Sequence, residues 1–339
     1  MILTYLAPGL IRVTDRAGAA AELRFTADGS LQQVTDPLGR TTRLVYDANG
    51  RAVEVIAADN SVTRFSYNVE GRLTSQTNAL NQVETYSYGP NSKSPTSLVD
   101  GKGNPLTYSY DSQGKVTSIG YADGSGETFT YNSTNQLIQK VERSGDTFSY
   151  SYNPRGLLAS RGGGDFNETY SYDSQDRLIG VVRTAPGGGA SQSVSYSYDS
   201  AGNLSQISQA GKSISYTYDS QGRRSSYSTS DGATVRYSYD SAGRLQGLRD
   251  GSDQSLVSYL YDGDGRLILE TNGNGTTSSY SYDAAGQLLR IDNANPAGTI
   301  VSSLVYTYDL LGRRTGETSN QGSWSYSYDA NGQLVGADF

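Results

Sequence analysis

The sequence predicts an all-β fold: tandem β-hairpins joined edge to edge into a continuous curled sheet, a spiral β-shell or β-solenoid of about 16 hairpins. Three observations predict it. A string of the form Tyr-x-Tyr-Asp-x-x-Gly-Arg-Leu recurs from end to end. Most copies are spaced 20 to 22 residues apart, enough for one hairpin with its turn and its connection. No window carries a helical i, i+3, i+4, i+7 pattern of useful length.

Each unit is indexed by its second aromatic residue: Tyr5, Phe25, Tyr46, Tyr67, Tyr88, Tyr110, Tyr131, Tyr152, Tyr172, Tyr198, Tyr218, Tyr239, Tyr261, Tyr282, Tyr308 and Tyr328. The period is unbroken, so residues 1–339 are expected to form one array. The N-terminus has no basic region followed by a continuous apolar run, so it is not a signal peptide. It reads as repeat sequence entered midway, and the chain is expected to be a segment of a longer one.

The outgoing strand alternates, as in Thr107-Tyr-Ser-Tyr110, so both rings share one face. Tyr, Thr and Phe favour strands. Asp follows the indexing aromatic in 10 of the 16 units and Asn in three more. Such side chains accept a local backbone N–H and open turns. Gly stands four residues after the aromatic in 13 of the 16 units; the others have Ser92, Asn135 and Asp176. This predicts a type I turn followed by a left-handed residue. An aliphatic residue such as Leu31, Leu73, Val116 or Leu267 then begins the return strand and is expected to pack across from the Tyr pair. Two spacings reach 26 residues. Their surplus falls in residues 183–193 and 292–298, both predicted to be longer loops.

Composition limits the chemistry. There are 28 Tyr and 40 Gly, but no Cys and no His. That removes disulfides, thiolate nucleophiles, His-dependent triads and His- or Cys-bound metals. The net charge is -7, which disfavours nucleic acid. No apolar run is long enough for a membrane helix. No cofactor is expected. About 32 strands at roughly 4.8 Å each would make a sheet on the order of 150 Å wide. Open sheets rarely pass ~10 strands without curling or splitting, so this one is expected to curl. Tyr brings large area with a polar tip, which suits a thin wall with one wet side.

These residues resemble the YD-repeat, or RHS-repeat, family. The copies that carry the likeness include YDANGRAVEV from Tyr46, YDSQGRRSSY from Tyr218 and YDLLGRRTGE from Tyr308, with the Asp-Pro-Leu-Gly turn at 36–39. The family includes bacterial polymorphic toxins, the B/C components of insecticidal toxin complexes and the teneurin ectodomains. The resemblance implies a sheet that spirals into a hollow shell. In the toxins the shell encloses a C-terminal effector; in teneurins it is an extracellular scaffold. No self-cleaving element and no toxin domain follow Tyr328, so neither activity is carried over.

The expected role is therefore a non-catalytic structural module, a shell segment of a secreted or surface toxin-encapsulating protein of bacterial type. The expected partner is an encapsulated effector, or a cell-surface protein or glycan, and bare strand edges invite self-association. Two other readings stand beside it: a cell-surface adhesin or glycan-binding scaffold, and a His-free polysaccharide lyase. The lyase needs a Tyr of depressed pKa or a Lys as base, and only Lys93, Lys102, Lys115, Lys140 and Lys212 exist.

Arg after the turn Gly (Arg51, Arg177, Arg244 and others) is expected to pair with the repeat Asp and lie along Tyr, with an acidic ligand as the alternative. Arg224 and Arg314 stand at the usually aliphatic position. They mark either a polar, interior-facing pocket or an edge-exposed register shift. Trp324, two residues before Tyr326, is expected to cover the edge of the last hairpin or to meet a ligand. Asp262-Gly-Asp-Gly265 and Asn272-Gly-Asn-Gly275 are similar to calcium loops but complete no known pattern, so turn chemistry is the expected explanation.

Overall fold

The computed structural model describes residues 1–339 apart from 91, 186–188 and 190. It holds 32 strands in one sheet, and no helix among the described residues. Consecutive strands pair antiparallel, as in Tyr108↔Ile119 and Ser118↔Thr128. Sixteen hairpins account for all the strands.

Strand boundaries follow the repeat. From Phe25 onward every outgoing strand ends on its indexing aromatic, and return strands begin at the aliphatic position, as at Val116 and Leu267. The register shifts by one residue at that aromatic, as between Ser109 and Tyr110. This bulge follows from the turn. Asp111 N–H donates to Lys115 O (2.9 Å) and Gly114 N–H to Asp111 O (3.0 Å). Gly114 has φ 82°, Asn135 69° and Asp176 65°, so the expected left-handed residue is present. A Cβ strains this conformation, which is why Gly dominates there.

The connections between hairpins close the same way. Asp36 N–H donates to Arg40 O (3.0 Å), and Gly39 N–H to Asp36 O (2.9 Å). Both edges of the sheet are thus rows of turns, here called YD turns and connecting turns; most close alike, while the connecting turns at 164–165, 210–211 and 320–321 have only two residues.

The surplus at 292–298 is not a longer loop. The strand Leu288–Ala294 runs through it, its partner Ile300–Tyr308 is equally extended, and the usual turn closes from Asn295 N–H to Thr299 O (2.9 Å). Extending both partners adds ladder hydrogen bonds and leaves the turn unchanged. In the other surplus, Arg183 and Thr184 end one strand and Ser191 begins the next; residues 186–188 and 190 lie outside the described residues.

The chain divides into two compact units. Unit 1 comprises Met1–Thr85, Tyr239–Leu248 and Gln254–Phe339; unit 2 comprises Tyr86–Ser238 and Arg249–Asp253. In both, outgoing strands alternate exposed and half-buried residues, with the rings on the half-buried face. Among the described residues only Tyr306, in unit 1, is a fully buried hydrophobe, at 7% exposure. The sheet is stabilised by partial burial of many rings rather than by a deep core.

Candidate functional site

The signature residues of the repeat form a lock between neighbouring hairpins. In unit 1 the Tyr282 hydroxyl donates to Leu267 O of the preceding hairpin (2.8 Å), and Tyr67 to Ala52 O (2.9 Å). In unit 2 Tyr131 donates to Val116 O (2.9 Å) and Tyr218 to Leu204 O (2.7 Å). The turn carboxylate does several jobs at once. Asp262 Oδ1 accepts the N–H groups of Asp264 (3.0 Å) and Arg266 (2.9 Å), while Oδ2 accepts Arg266 Nε (2.6 Å). Arg266 Nη1 donates onward to Asp283 O (3.3 Å), and its guanidinium lies 5.1 Å from the centre of the Tyr282 ring. Arg51, Arg244 and Arg313 repeat this arrangement on Tyr67, Tyr261 and Tyr328.

Each element is modest: about 1 kcal/mol for a hydroxyl hydrogen bond and roughly 0.5–1 kcal/mol for an exposed cation–π contact. Repetition makes them decisive. Donors beside the carboxylates also set their acidity. The Arg51 guanidinium, with the Arg51 N–H, holds Asp47 below the usual carboxylate range; the Lys115 N–H does the same to Asp111.

Of the three singled-out residues, Arg224 belongs to unit 2 and Arg314 and Trp324 to unit 1, where both neighbour Glu317. Arg224, in unit 2, is exposed and stacks on Tyr216 (4.4 Å to the ring centre). Arg314, in unit 1, stacks on Tyr306 (4.2 Å) and pairs with Glu317 (2.9 Å). Its carbonyl still accepts the next hairpin's lock, from Tyr328 (2.7 Å). Trp324 stacks on Tyr326 (6.5 Å between ring centres, 9° between planes) and meets Phe339 at 5.0 Å. It lies on the outgoing strand of the last hairpin and is 39% exposed.

Asp262-Gly-Asp-Gly265 is a YD turn in which both Asp262 oxygens and Asp264 Oδ1 accept donors from the chain, while Asp264 Oδ2 is buried without a hydrogen bond, 3.4 Å from Arg266 Nη2. Asn272-Gly-Asn-Gly275 closes as a connecting turn, Asn272 N–H to Thr276 O (2.9 Å). Among the described residues no group of three or more acidic side chains could hold a metal ion. Burial pushes up the hydroxyls of Tyr110, Tyr152, Tyr259, Tyr282 and Tyr306. Tyr170 is pushed up to about 12 by burial and by donating to Glu168 (2.7 Å). These shifts run against the direction a Tyr base needs. Lys115 lies over Tyr131 (4.8 Å), and Lys140 is paired with Glu142 (3.2 Å).

A seam in unit 1 escaped the sequence reading. Connecting turns of its first hairpins meet YD turns of its last ones. Ala17 N–H donates to Asp264 Oδ1 (3.0 Å), Arg40 Nη1 to Gln287 Oε1 (3.0 Å), and Asn331 Nδ2 to Gln82 Oε1 (3.1 Å). The separations are 247, 247 and 249 residues. Asp264, Ala285 and Asn331 occupy the same turn position and are half-buried, whereas their counterparts Gln113, Thr134 and Gln175 in unit 2 are exposed. The visible trace in the sequence is the Asp-x-x-Gly of the connecting turns at 15–18 and 36–39.

Fold and site together define a class: a tandem-hairpin wall in which signature side chains tie each hairpin to its neighbour. Residues 162–324 match the teneurin YD-shell, and residues 25–62 and 46–83 match the RHS repeat. Over these stretches the chain resembles the YD/RHS-repeat family. No curated protein matches the sequence. Among solved structures, the TcdB2-TccC3 complex is similar with a TM-score of 0.53 at 14% identity, over 97% of this chain and 24% of that one. The TcdB2-TccC3-Cdc42 complex gives 0.52 at 14% identity over the same shares. The chain thus spans about a quarter of the length of those it matches, and the likeness is one of fold.

Proposed function

We propose that the chain is a non-catalytic length of wall in a secreted bacterial shell that encloses an effector segment. The observation that carries this reading is the seam in unit 1. A wall that retains a polypeptide needs its strip edges joined as well as its strands, and turn-on-turn docking supplies that joint. The TcdB2-TccC3 assemblies, whose fold this chain shares over part of their length, support a toxin setting. The signature Tyr, Asp, Gly and Arg residues are engaged in the lock, which supports a structural role over catalysis.

The test is limited proteolysis of a longer natural chain that carries these residues with a downstream segment. Protection of that segment while the wall is intact, and its rapid digestion after the wall is unfolded, is the expected result. Digestion at the rate of the free segment would sink the proposal. Cleavage of uronate polymers that is lost on changing a single Tyr or Lys would move the chain to the lyase class.

A further inference from the structure

We propose that the seam of unit 1 is keyed: its turn residues select which hairpins meet and penalise a slip of one hairpin in either direction. This deepens the reading above and rests on it, since it says what chooses the partners at that same joint. The contacts keep a constant offset. The connecting turns after the first, second and fourth hairpins receive the YD turns of the thirteenth, fourteenth and sixteenth, through Ala17–Asp264, Arg40–Gln287 and Gln82–Asn331. The lock cannot make this choice, because it recurs along the array. The choice falls to positions where the repeat is broken.

Gln287 is such a position. The residue after the turn Gly is Arg266 in the thirteenth hairpin and Arg313 in the fifteenth, but Gln287 in the fourteenth. Gln287 follows the path of a lock Arg towards the next turn. A Cβ on Gly312 would lie 2.9 Å from Gln287 Nε2, as one on Gly286 would lie 3.8 Å from Arg266 Nη1. The same Cβ on Gly312 would lie 3.6 Å from Arg40 Nη1. The Arg40 side chain is only 16% exposed and is paired with Asp36. A guanidinium at 287 would set donor against donor there, with like charges in contact and little water between them. The Gln amide oxygen instead accepts from Arg40 Nη1 (3.0 Å).

Asp264 is the second such position. At the third residue of the YD turn the last four hairpins carry Asp264, Ala285, Leu311 and Asn331. The single carboxylate among them is the one that meets the Ala17 N–H. A slip by one hairpin would set Ala17 against Ala242 or Ala285, whose side chains hold no acceptor, and Arg40 against Arg266 or Arg313. Each wrong register thus loses an attraction and gains a repulsion.

A consensus substitution that does harm is the test. Gln287→Arg restores the usual lock residue, with Asp283 in its turn to pair with it. Hydrogen exchange at residues 36–40 should nevertheless quicken about tenfold, the usual scale for losing a hydrogen bond to a charged group, and the urea midpoint should fall. Asn203→Arg makes the same change beside Asp199 in unit 2, outside the seam, and should leave the midpoint level or raise it. Arg40→Gln added to Gln287→Arg returns an acceptor to the new Arg and should restore slow exchange, with Arg40→Gln alone completing the cycle. Unchanged exchange at 36–40 in Gln287→Arg overturns the proposal. So does an equal fall in Asn203→Arg, or a double variant that does not recover. If Gln287→Arg fails to fold, the double variant decides alone. None of these readouts needs an enclosed segment. A downstream segment that stays protected while the keying fails would leave the enclosing wall standing, and the reverse result would leave the keying standing.

Discussion

The turn Asp36–Arg40 in unit 1 and the turn Tyr121–Ser125 in unit 2 close alike, from the first N–H to the fifth carbonyl (3.0 and 2.9 Å). Their surroundings differ. Arg40 is hydrogen-bonded across the seam to Gln287, while Ser125, at the same turn position and equally half-buried, accepts from Arg143 of the neighbouring connecting turn (2.7 Å). Near-identical local chemistry therefore meets two fates. The lesson is that the hairpin is specified locally, whereas the seam depends on which edge a turn happens to meet.

The largest expected effect concerns burial. Tyr306→Ala, in unit 1, should lower stability by about 3–5 kcal/mol in urea unfolding, the usual range for truncating a buried aromatic. Tyr150→Ala in unit 2 should cost clearly less, because that ring is half-exposed. Equal losses would erase the distinction.

Next comes the seam. Asp264→Ala removes the acceptor of the Ala17 N–H and a partner of Arg266 (3.4 Å), and should cost roughly 1–3 kcal/mol. Hydrogen exchange should speed up at residues 15–19. Lys102→Ala, at an exposed connecting turn of unit 2, should change stability by less than about 0.5 kcal/mol. Acceleration confined to residues 262–266 would mean that the seam is not a stabilising joint.

A smaller loss, about 1 kcal/mol, is expected for Tyr282→Phe or Tyr131→Phe, which delete one lock hydroxyl each. The lock is the same in both units, so the two losses should match. A larger loss in one unit would tie the lock to the seam.

Acid tests the turns in both units together. The carboxyls of Asp47 in unit 1 and of Asp111 and Asp199 in unit 2 are all held below their ordinary values by local donors. Their contribution is present in full above about pH 4, the unfolded value, and is lost as pH falls through the depressed folded values. Thermal melts should therefore stay level from neutral pH down to about 4 and then drop. Exchange should rise at YD turns of both units; loosening of unit 1 alone would place the acid sensitivity in the seam. The smallest effect is expected for Arg224→Gln, within about 0.5 kcal/mol, because the side chain is exposed.

Most of the hairpin was legible in the sequence because it is built from short-range rules. An Asp accepts N–H groups two and four residues on, and Gly, Asn or Asp takes the left-handed position, as Asn135 and Asp176 show. The surplus at 292–298 misled because Asn, Pro and Gly signal a loop, whereas Asp292–Ala294 had a partner strand long enough to pair with. The seam was hidden for a different reason. Ala17 and Asp264 carry no local mark of each other, and a contact across 247 residues depends on how the strip is placed.

The lock has one asymmetry with consequences for how such a sequence can change over time. Its donor is a side chain, the Tyr hydroxyl, but its acceptor is a main-chain carbonyl. That carbonyl belongs to Leu31, Ala52, Pro95, Val116 or Arg314 in different hairpins. Mutational drift at the acceptor position thus leaves the tie intact, while drift at the Tyr breaks it. A charged residue can enter the wall at Arg314 without loosening the hairpin that follows. The array can diversify its surface one site at a time while keeping a single mechanical rule.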